Sequence, residues 1–342
     1  MLVSFIHAAG TAESAGDKLI SLVIGIAVFA AVFLGILGLA SLFKGRVGER
    51  IQAIAFVGPT VLFIVAALVI PAALTIRRAF YNGKFFDLNF GTARTKAQFS
   101  GFENFQKLWT TPGLTEVIRN TALWVLLVPL VATGVGLIYA LLIDRAKGEA
   151  VAKALIFLPM AISMVGATLI WKFVYNYNGA PGATQIGILN AIITKFGMEP
   201  INFLGTPVLN TFALIVIMIW IQAGFAMTVL SAAIKAIPDE ILEAARMDGV
   251  SGFKMFRFIT LPSIRSSIIV VLTTIAIGTL KAFDIVQAAS GGKLRDGVLA
   301  SEFYNRSFVT QEPGLGAAIA IVIFVLVSPI IAYNVIQMRK DA

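Results

Sequence analysis

Long stretches of this chain carry no charge. Leu19–Phe43 runs for 25 residues and Ile51–Ile76 for 26 without an Asp, Glu, Lys or Arg. A helix crossing the hydrocarbon core of a bilayer needs about 20 such residues, and in lipid a single segment satisfies its own backbone only as a helix. Five more runs fit this requirement. They are Thr121–Ile143, with Pro129 inside, and Ala154–Trp171, which Pro159 should kink. Then come Phe203–Ile234, centred on Leu209–Leu230, Ser266–Leu280, continuing past Lys281 and Asp284 to Gln287, and Leu315–Met338. Pro59 and Pro71 should bend the second run. The reading is an all-α polytopic membrane protein with about seven transmembrane helices.

Composition narrows the chemistry. Only 13% of residues are charged and 58% are hydrophobic, with a mean hydropathy of +0.90, where a soluble domain is about one quarter charged. Cys is absent, which excludes disulfides and thiolate chemistry, and the one His is His7, in the N-terminal tail. Histidine catalysis and a metal centre are not expected. The net charge is +9, but the bases flank the apolar runs, where anionic lipid is the neighbour, and no aromatic-basic interleaving points to nucleic acid. Met1–Lys18 lacks the pattern of a cleaved signal, and the apolar run after it is too long for a signal core. The loops at 44–50, 144–153 and 235–265 and the C-terminal tail hold 13 of the 27 basic residues. Totals on the two sides nearly tie, but density favours this set as cytoplasmic, with the N-terminus outside and the C-terminus inside.

One polar, amphipathic stretch interrupts the apolar C-terminal half, Ile237–Pro262, IPDEILEAARMDGVSGFKMFRFITLP. Pro238 suits a first helical position, and Asp239 and Glu240 favour the positive end of a helix dipole. Gly249 can take the left-handed conformation that ends a helix. Ser251 can cap a second short helix running through Phe258, which Pro262 should stop. By these properties the stretch is either a knob offered to a soluble partner or an amphipathic loop on the membrane surface.

Glu243-Ala-Ala-Arg-Met-Asp-Gly-Val, followed by Phe253, Phe256, Ile259 and Leu261-Pro262, resembles the EAA loop of ABC importer permeases. Three other stretches support the resemblance: Gly101-Phe-Glu-Asn-Phe with Asn120-Thr121, Leu158-Pro159, and Phe283-Asp284 followed by Gly291-Gly292. Together they are similar to the sugar permeases of the maltose-permease type, over roughly residues 51–340, and the layout is most similar to the alpha-glucoside permeases with an added N-terminal span. The resemblance implies a type I ABC importer permease fold. Residues 1–50 would be an extracytoplasmic tail, an extra span and a short cytoplasmic loop. Residues 51–342 would be the transmembrane domain, with a cytoplasmic coupling helix in the loop 237–262. It also implies a second permease subunit, two ATP-binding subunits that hold the ATP and Mg, and an extracytoplasmic sugar-binding protein. This chain has no GxxxxGK[S/T], so no ATPase site of its own is expected.

Carried onto these residues, Glu243 would pair with a group on the ATPase, Ala244 and Ala245 would permit close approach, and Asp248 and Gly249 would set the turn. Phe253 and Phe256 would anchor the second helix to the spans. A sugar site at mid-membrane would draw on Met160, Ser163 and Met164 of the fourth span, Trp220, Gln222 and Phe225 of the fifth, and Gly278, Thr279, Phe283 and Asp284 of the sixth. Amides, carboxylates and aromatic faces suit hydroxyls and the C–H face of a sugar ring. Each has a plainer alternative: interhelical hydrogen bonding for Gln222, packing for the methionines, and for Lys281 and Asp284 a structural pair at i, i+3. Tyr175, Tyr177 and Asn178 are candidate contacts for the binding protein, or parts of a spacer loop. The expected substrates are alpha-glucosides such as trehalose, maltose or sucrose, with glycerol 3-phosphate or another oligosaccharide as alternatives. An ion-coupled secondary transporter is a remote alternative, since Asp284 is the one intramembrane carboxylate and no inverted repeat is visible.

Overall fold

The structure is a computed structural model that describes residues 15–43, 45–83, 98–144, 146–180, 182–291 and 297–341. His7, the N-terminal tail through residue 14 and Gly292 lie outside the described residues. The chain divides into two compact units, Met1–Leu74 and Thr75–Ala342.

In the first unit, α1 (Ala15–Ala40) and α2 (Gly45–Ile64) pack on each other, with Phe33 and Phe56 ring to ring at 6.2 Å. A Cβ on Gly48 would lie 2.2 Å from the Phe43 carbonyl oxygen, so the tight return between the helices needs glycine there. After α2, Val65–Val69 forms a π turn, and Ile70–Arg78 (α3) resumes the α-helix. The Ile70 N–H reaches back five residues to the Val65 carbonyl, one residue before Pro71. A proline ring pushes away the carbonyl four residues earlier, and the widened turn absorbs that displacement without breaking the helix.

The second unit opens with a two-residue hairpin, β1 (Tyr81–Asn82) against β2 (Gln98–Phe99), and α4 (Glu103–Thr110). Lys107, 2.9 Å from Glu103, holds that carboxyl below the usual carboxylate range. The transmembrane core is built by α5 (Leu114–Ile143) and α9 (Leu209–Lys235). In α5 the buried positions Val117, Thr121, Trp124, Val128, Ala132, Gly136 and Ala140 recur every three or four residues and form one stripe, while Leu126, Leu130, Ile138 and Leu142 face outward. α9 is more deeply buried than α5, although Phe212 and Val216 are exposed. The two helices touch at small residues: a Cβ on Gly136 would sit 2.5 Å from Ala226 Cβ and 2.7 Å from the Met227 nitrogen.

Five helical stretches are long and apolar enough to cross a bilayer among the described residues: Leu19–Ala40, Gly48–Arg78, Leu114–Ile143, Leu209–Lys235 and Pro313–Gln337. Two bent pairs raise the count to seven if each crosses once. The first corrects the expectation of a kinked fourth span. Here α6 (Glu149–Phe157) passes through a 3₁₀ turn, Leu158–Ala161, to α7 (Met164–Val174), the chain turns by 102°, and the short α8 (Ile188–Lys195) follows before α9. Ile162 is extended, and the Ser163 hydroxyl accepts the Gly166 N–H at 3.1 Å, capping α7. The second pair, Gly252–Ser263 and Arg265–Leu280 (α13), bends by 69°. The sixth span also does not run unbroken to Gln287: α13 ends at Leu280 and α14 (Asp284–Ser290) begins anew.

The segments around α4 and the stretch after residue 297 are tied by side chains that the sequence presented as signatures. Asn104 donates to the carbonyls of Ala79 and Tyr81 at 3.0 and 3.2 Å, holding the hairpin on α4. The Thr121 hydroxyl accepts the Leu299 N–H at 2.9 Å, and Asn120 donates to the Gly297 carbonyl at 3.2 Å. These bonds fix the start of α15 (Leu299–Tyr304) on α5. After α15 a π turn, Asn305–Val309, leads to α16 (Pro313–Asp341).

Candidate functional site

The stretch 237–262 is a helix, a glycine turn and a second helix. α10 spans Asp239–Met247, with Pro238 outside it at the cap and not at the first helical position. Gly249 adopts φ +76°, its N–H bonds the Arg246 carbonyl at 3.0 Å, and the Val250 N–H bonds that of Ala245 at 2.9 Å. This pair of bonds is a Schellman closure, which needs a left-handed residue at 249. The second helix is continuous in three pieces: α11 (Gly252–Met255), a π turn (Phe256–Thr260) and α12 (Leu261–Ser263). Ser251 stands at its cap position without a side-chain bond. The helix ends at Ser263, one residue past Pro262. The Leu261 N–H reaches the Phe256 carbonyl, the same accommodation as before Pro71, and the chain bends two residues later at Ile264.

Exposure sorts the predicted residues of this loop. Glu243, Ala244, Asp248 and Gly249 are exposed, but Ala245 is only 6% exposed, packed into its own chain, so it offers no surface to a partner. Phe253 is 76% exposed and does not anchor the second helix to the spans; its ring stands 6.0 Å from that of the half-buried Phe256. Met247, 88% exposed, Ile241 and Phe258 also point away from the chain. Exposed large apolar side chains along an otherwise polar loop suit contact with a partner.

The second candidate region lies along α9 beside the two broken helices. Trp220 stacks edge-on against Trp171 at 5.8 Å, and Trp171 in turn lies 5.1 Å from Tyr175. The Gln222 amide nitrogen would be 3.7 Å from a Cβ on Gly278, so these two predicted residues do face each other. Gln222 and Phe225 are half-buried, Met160 and Ser163 are exposed at the first break, and Met164 packs on the core. Thr279 leaves the set: it is buried and its hydroxyl donates back to the Ile275 carbonyl at 2.7 Å. Lys281 and Asp284 form no ion pair with each other, because the helix ends between them. Lys281 caps the C-terminal end of α13 and Asp284 opens α14, each at the dipole end that suits its charge. Phe283 packs on Tyr304, ring centroids 5.0 Å apart. Tyr175 is also corrected, since its buried hydroxyl donates to the Ala213 carbonyl at 3.0 Å and offers nothing outward.

Two groups were missed. Trp171 and Tyr304 extend the aromatic lining, and only tertiary packing joins them to Trp220 and Phe283. At the end of the bundle where α5 and α9 finish, Asp144, Glu149, Lys153, Ser231 and Lys235 form one network. Broken helices beside an aromatic- and amide-bearing central helix are how transporters build a site that can open to either side.

Residues 114–339 match the family described as binding-protein-dependent transport system inner membrane component. The osmoprotective compounds uptake permease protein GgtC of Synechocystis sp. is 42% identical over 286 residues, covering 84% of this chain and 98% of that protein. The alpha-glucoside transport system permease protein AglF of Rhizobium meliloti is 41% identical over 298 residues, covering 87% and 85%. A crystal structure of a bacterial ABC transporter involved in the import of the acidic polysaccharide alginate shares the fold, with a TM-score of 0.70 and 22% identity over 86% of this chain and 99% of that one. The chain therefore belongs to the family of binding-protein-dependent transport system inner membrane components.

Proposed function

We propose that this chain is a permease subunit of an ATP-driven, binding-protein-dependent importer of sugars, with alpha-glucosides as the first substrate class. It sits in a bacterial inner membrane, N-terminus outside and C-terminus in the cytoplasm. It pairs with a second permease, two ATP-binding subunits and an extracytoplasmic binding protein. Glu243, Ala244, Asp248, Gly249, Met247 and Phe253 meet the ATPase. Its closure on ATP rocks the broken helices, so that the region around Met160, Trp220, Gln222, Gly278 and Phe283 opens to alternate sides.

The observation that carries this reading is the exposed α10 loop. It ends in a glycine closure and exposes Met247 and Phe253, in a chain of a family whose members act in binding-protein-dependent transport. The substrate class draws support from the alpha-glucoside relative at 41% identity and from the amide and aromatic groups along α9. A second reading, an osmoprotective compound, is favoured by the relative of that name at 42%.

Competition decides the substrate. In cells bearing the whole transporter, uptake of labelled trehalose should fall with excess sucrose or maltose and be untouched by glycerol 3-phosphate. Competition by glycine betaine instead of the glucosides would move the reading to osmoprotective compounds. Competition by glycerol 3-phosphate would overturn both.

A further inference from the structure

We infer that the charge network at the end of α5 and α9 is the joint that carries motion of the coupling loop into the broken helix α6–α7. Lys153 on α6 is its hub. Its ammonium lies 2.5 Å from Asp144 Oδ1 and 2.8 Å from Glu149 Oε1, and it donates to the Ser231 hydroxyl. Ser231 donates onward to Asp144 Oδ1 at 2.7 Å. Lys235, the last residue of α9, pairs with Glu149 and stands 3.9 Å from Asp144. Two carboxylates face two ammonium groups, so the node is neutral, and Asp144 is held with its side chain only 8% exposed.

The placement of these residues gives the node its consequence. Lys235 is three residues before Pro238, the cap of the coupling helix α10. Glu149 and Lys153 lie on the short helix that ends at the Leu158–Ser163 break, where Met160 and Ser163 are exposed. A second contact stiffens the link. A Cβ on Gly224 would fall 2.5 Å from the Ile156 carbonyl oxygen and 3.0 Å from Phe157 Cα, so α9 and α6 touch backbone to backbone just before the break. Pinned at 153 with 231, and again at 156–157 with 224, α6 must follow α9. Charge-assisted bonds between partly buried groups hold geometry more strictly than apolar packing does, and one missing member leaves a buried charge uncompensated. Asp144 Oδ2 is buried without a hydrogen-bond partner, so this carboxylate has spare capacity when the node rearranges.

This inference rests on the coupling reading of the loop 237–262, and its test separates the two. The chain has no cysteine, so Ala161→Cys puts a single exposed thiol of this chain at the break, outside the proposed sugar region. In the complete reconstituted transporter, the rate at which a maleimide modifies that thiol is compared without nucleotide and after trapping with ATP and vanadate. The node predicts a several-fold change on trapping. Lys153→Met should lose that change while ATP hydrolysis stays within about twofold. Lys153→Arg, which keeps the cation facing both carboxylates, should keep it. If Lys153→Met does not assemble, Ser231→Ala, which leaves all four charges, is read in its place and should at least halve the change. An unaltered change in Lys153→Met, or in Ser231→Ala where that stands in, overturns the joint, as does a parent protein whose thiol does not respond to trapping. If Gly249→Pro abolishes the response and Lys153→Met does not, only the joint is lost. If neither does, the coupling role of the loop falls with it.

Discussion

Gly249→Pro is expected to abolish uptake while the permease still inserts. Gly249 stands at φ +76° and donates its N–H to the Arg246 carbonyl. Proline fixes φ near −65° and has no N–H, so both the conformation and the bond are lost. The bond from Val250 to Ala245 depends on the same turn, so the last turn of α10 opens and Met247, Asp248 and Phe253 leave their relative positions. Gly249 is exposed, with nothing within 4 Å of where a Cβ would be, so the damage is one of conformation and stays local to the loop. Gly249→Ala separates the effects: it keeps the N–H and strains the left-handed conformation by about 1–2 kcal/mol, so it should retain part of the transport. Glu243→Lys reverses the charge of an exposed carboxylate on the same surface and should also stop uptake. Uptake by membrane vesicles at matched permease levels, scored by immunoblot, checks all three. Wild-type uptake by Gly249→Pro would remove this loop from the energy path.

Arg306→Leu should severely destabilise the packing of α15 and of the turn that follows it. Its guanidinium bonds Glu302 and Glu312, each at 2.6 Å, and Glu302 is only 2% exposed. α15 is short, and it is held by this pair, by Thr121 and Asn120 from α5, and by the approach of Gly316 to Ser307, where a Cβ would sit 2.2 Å from the hydroxyl oxygen. Removing the arginine leaves a buried carboxylate with no cation. Breaking a buried pair from one side costs about 3–5 kcal/mol, whereas replacing both members by uncharged groups is often nearly neutral. The double variant Glu302→Gln/Arg306→Leu should therefore recover much of the loss. Thermal melting of the purified complex in detergent reads both variants. A single variant that melts with the parent would show that the pair contributes little.

The spans were legible because the bilayer imposes a length, and uncharged runs such as Leu19–Phe43 satisfy it whatever their neighbours. The glycine turn was legible too, since a glycine after a polar amphipathic helix at Asp248-Gly249 has few other uses. The breaks were not. Pro159 announced a disturbance, but the 102° turn is made by an extended Ile162 and a capping Ser163. At Lys281 the helix ends without glycine or proline. Pro71 misled in the opposite direction, since a π turn placed just before it lets the helix continue, whereas the helix that holds Pro262 ends at Ser263. Exposure at Phe253 and burial at Ala245 depend on how the loop folds back, which a local pattern does not carry. The node of Asp144, Lys153, Ser231 and Lys235 joins residues from three helices, and no spacing rule relates them.

The most direct test of the account is uptake by proteoliposomes holding this chain with its partner permease and both ATPase subunits, with the binding protein on the opposite face. The account predicts accumulation of labelled trehalose that requires ATP on the ATPase side and the binding protein on the other, and that is unchanged when ionophores collapse proton and sodium gradients. Accumulation without ATP, driven by either gradient and lost on adding the ionophore, would contradict it.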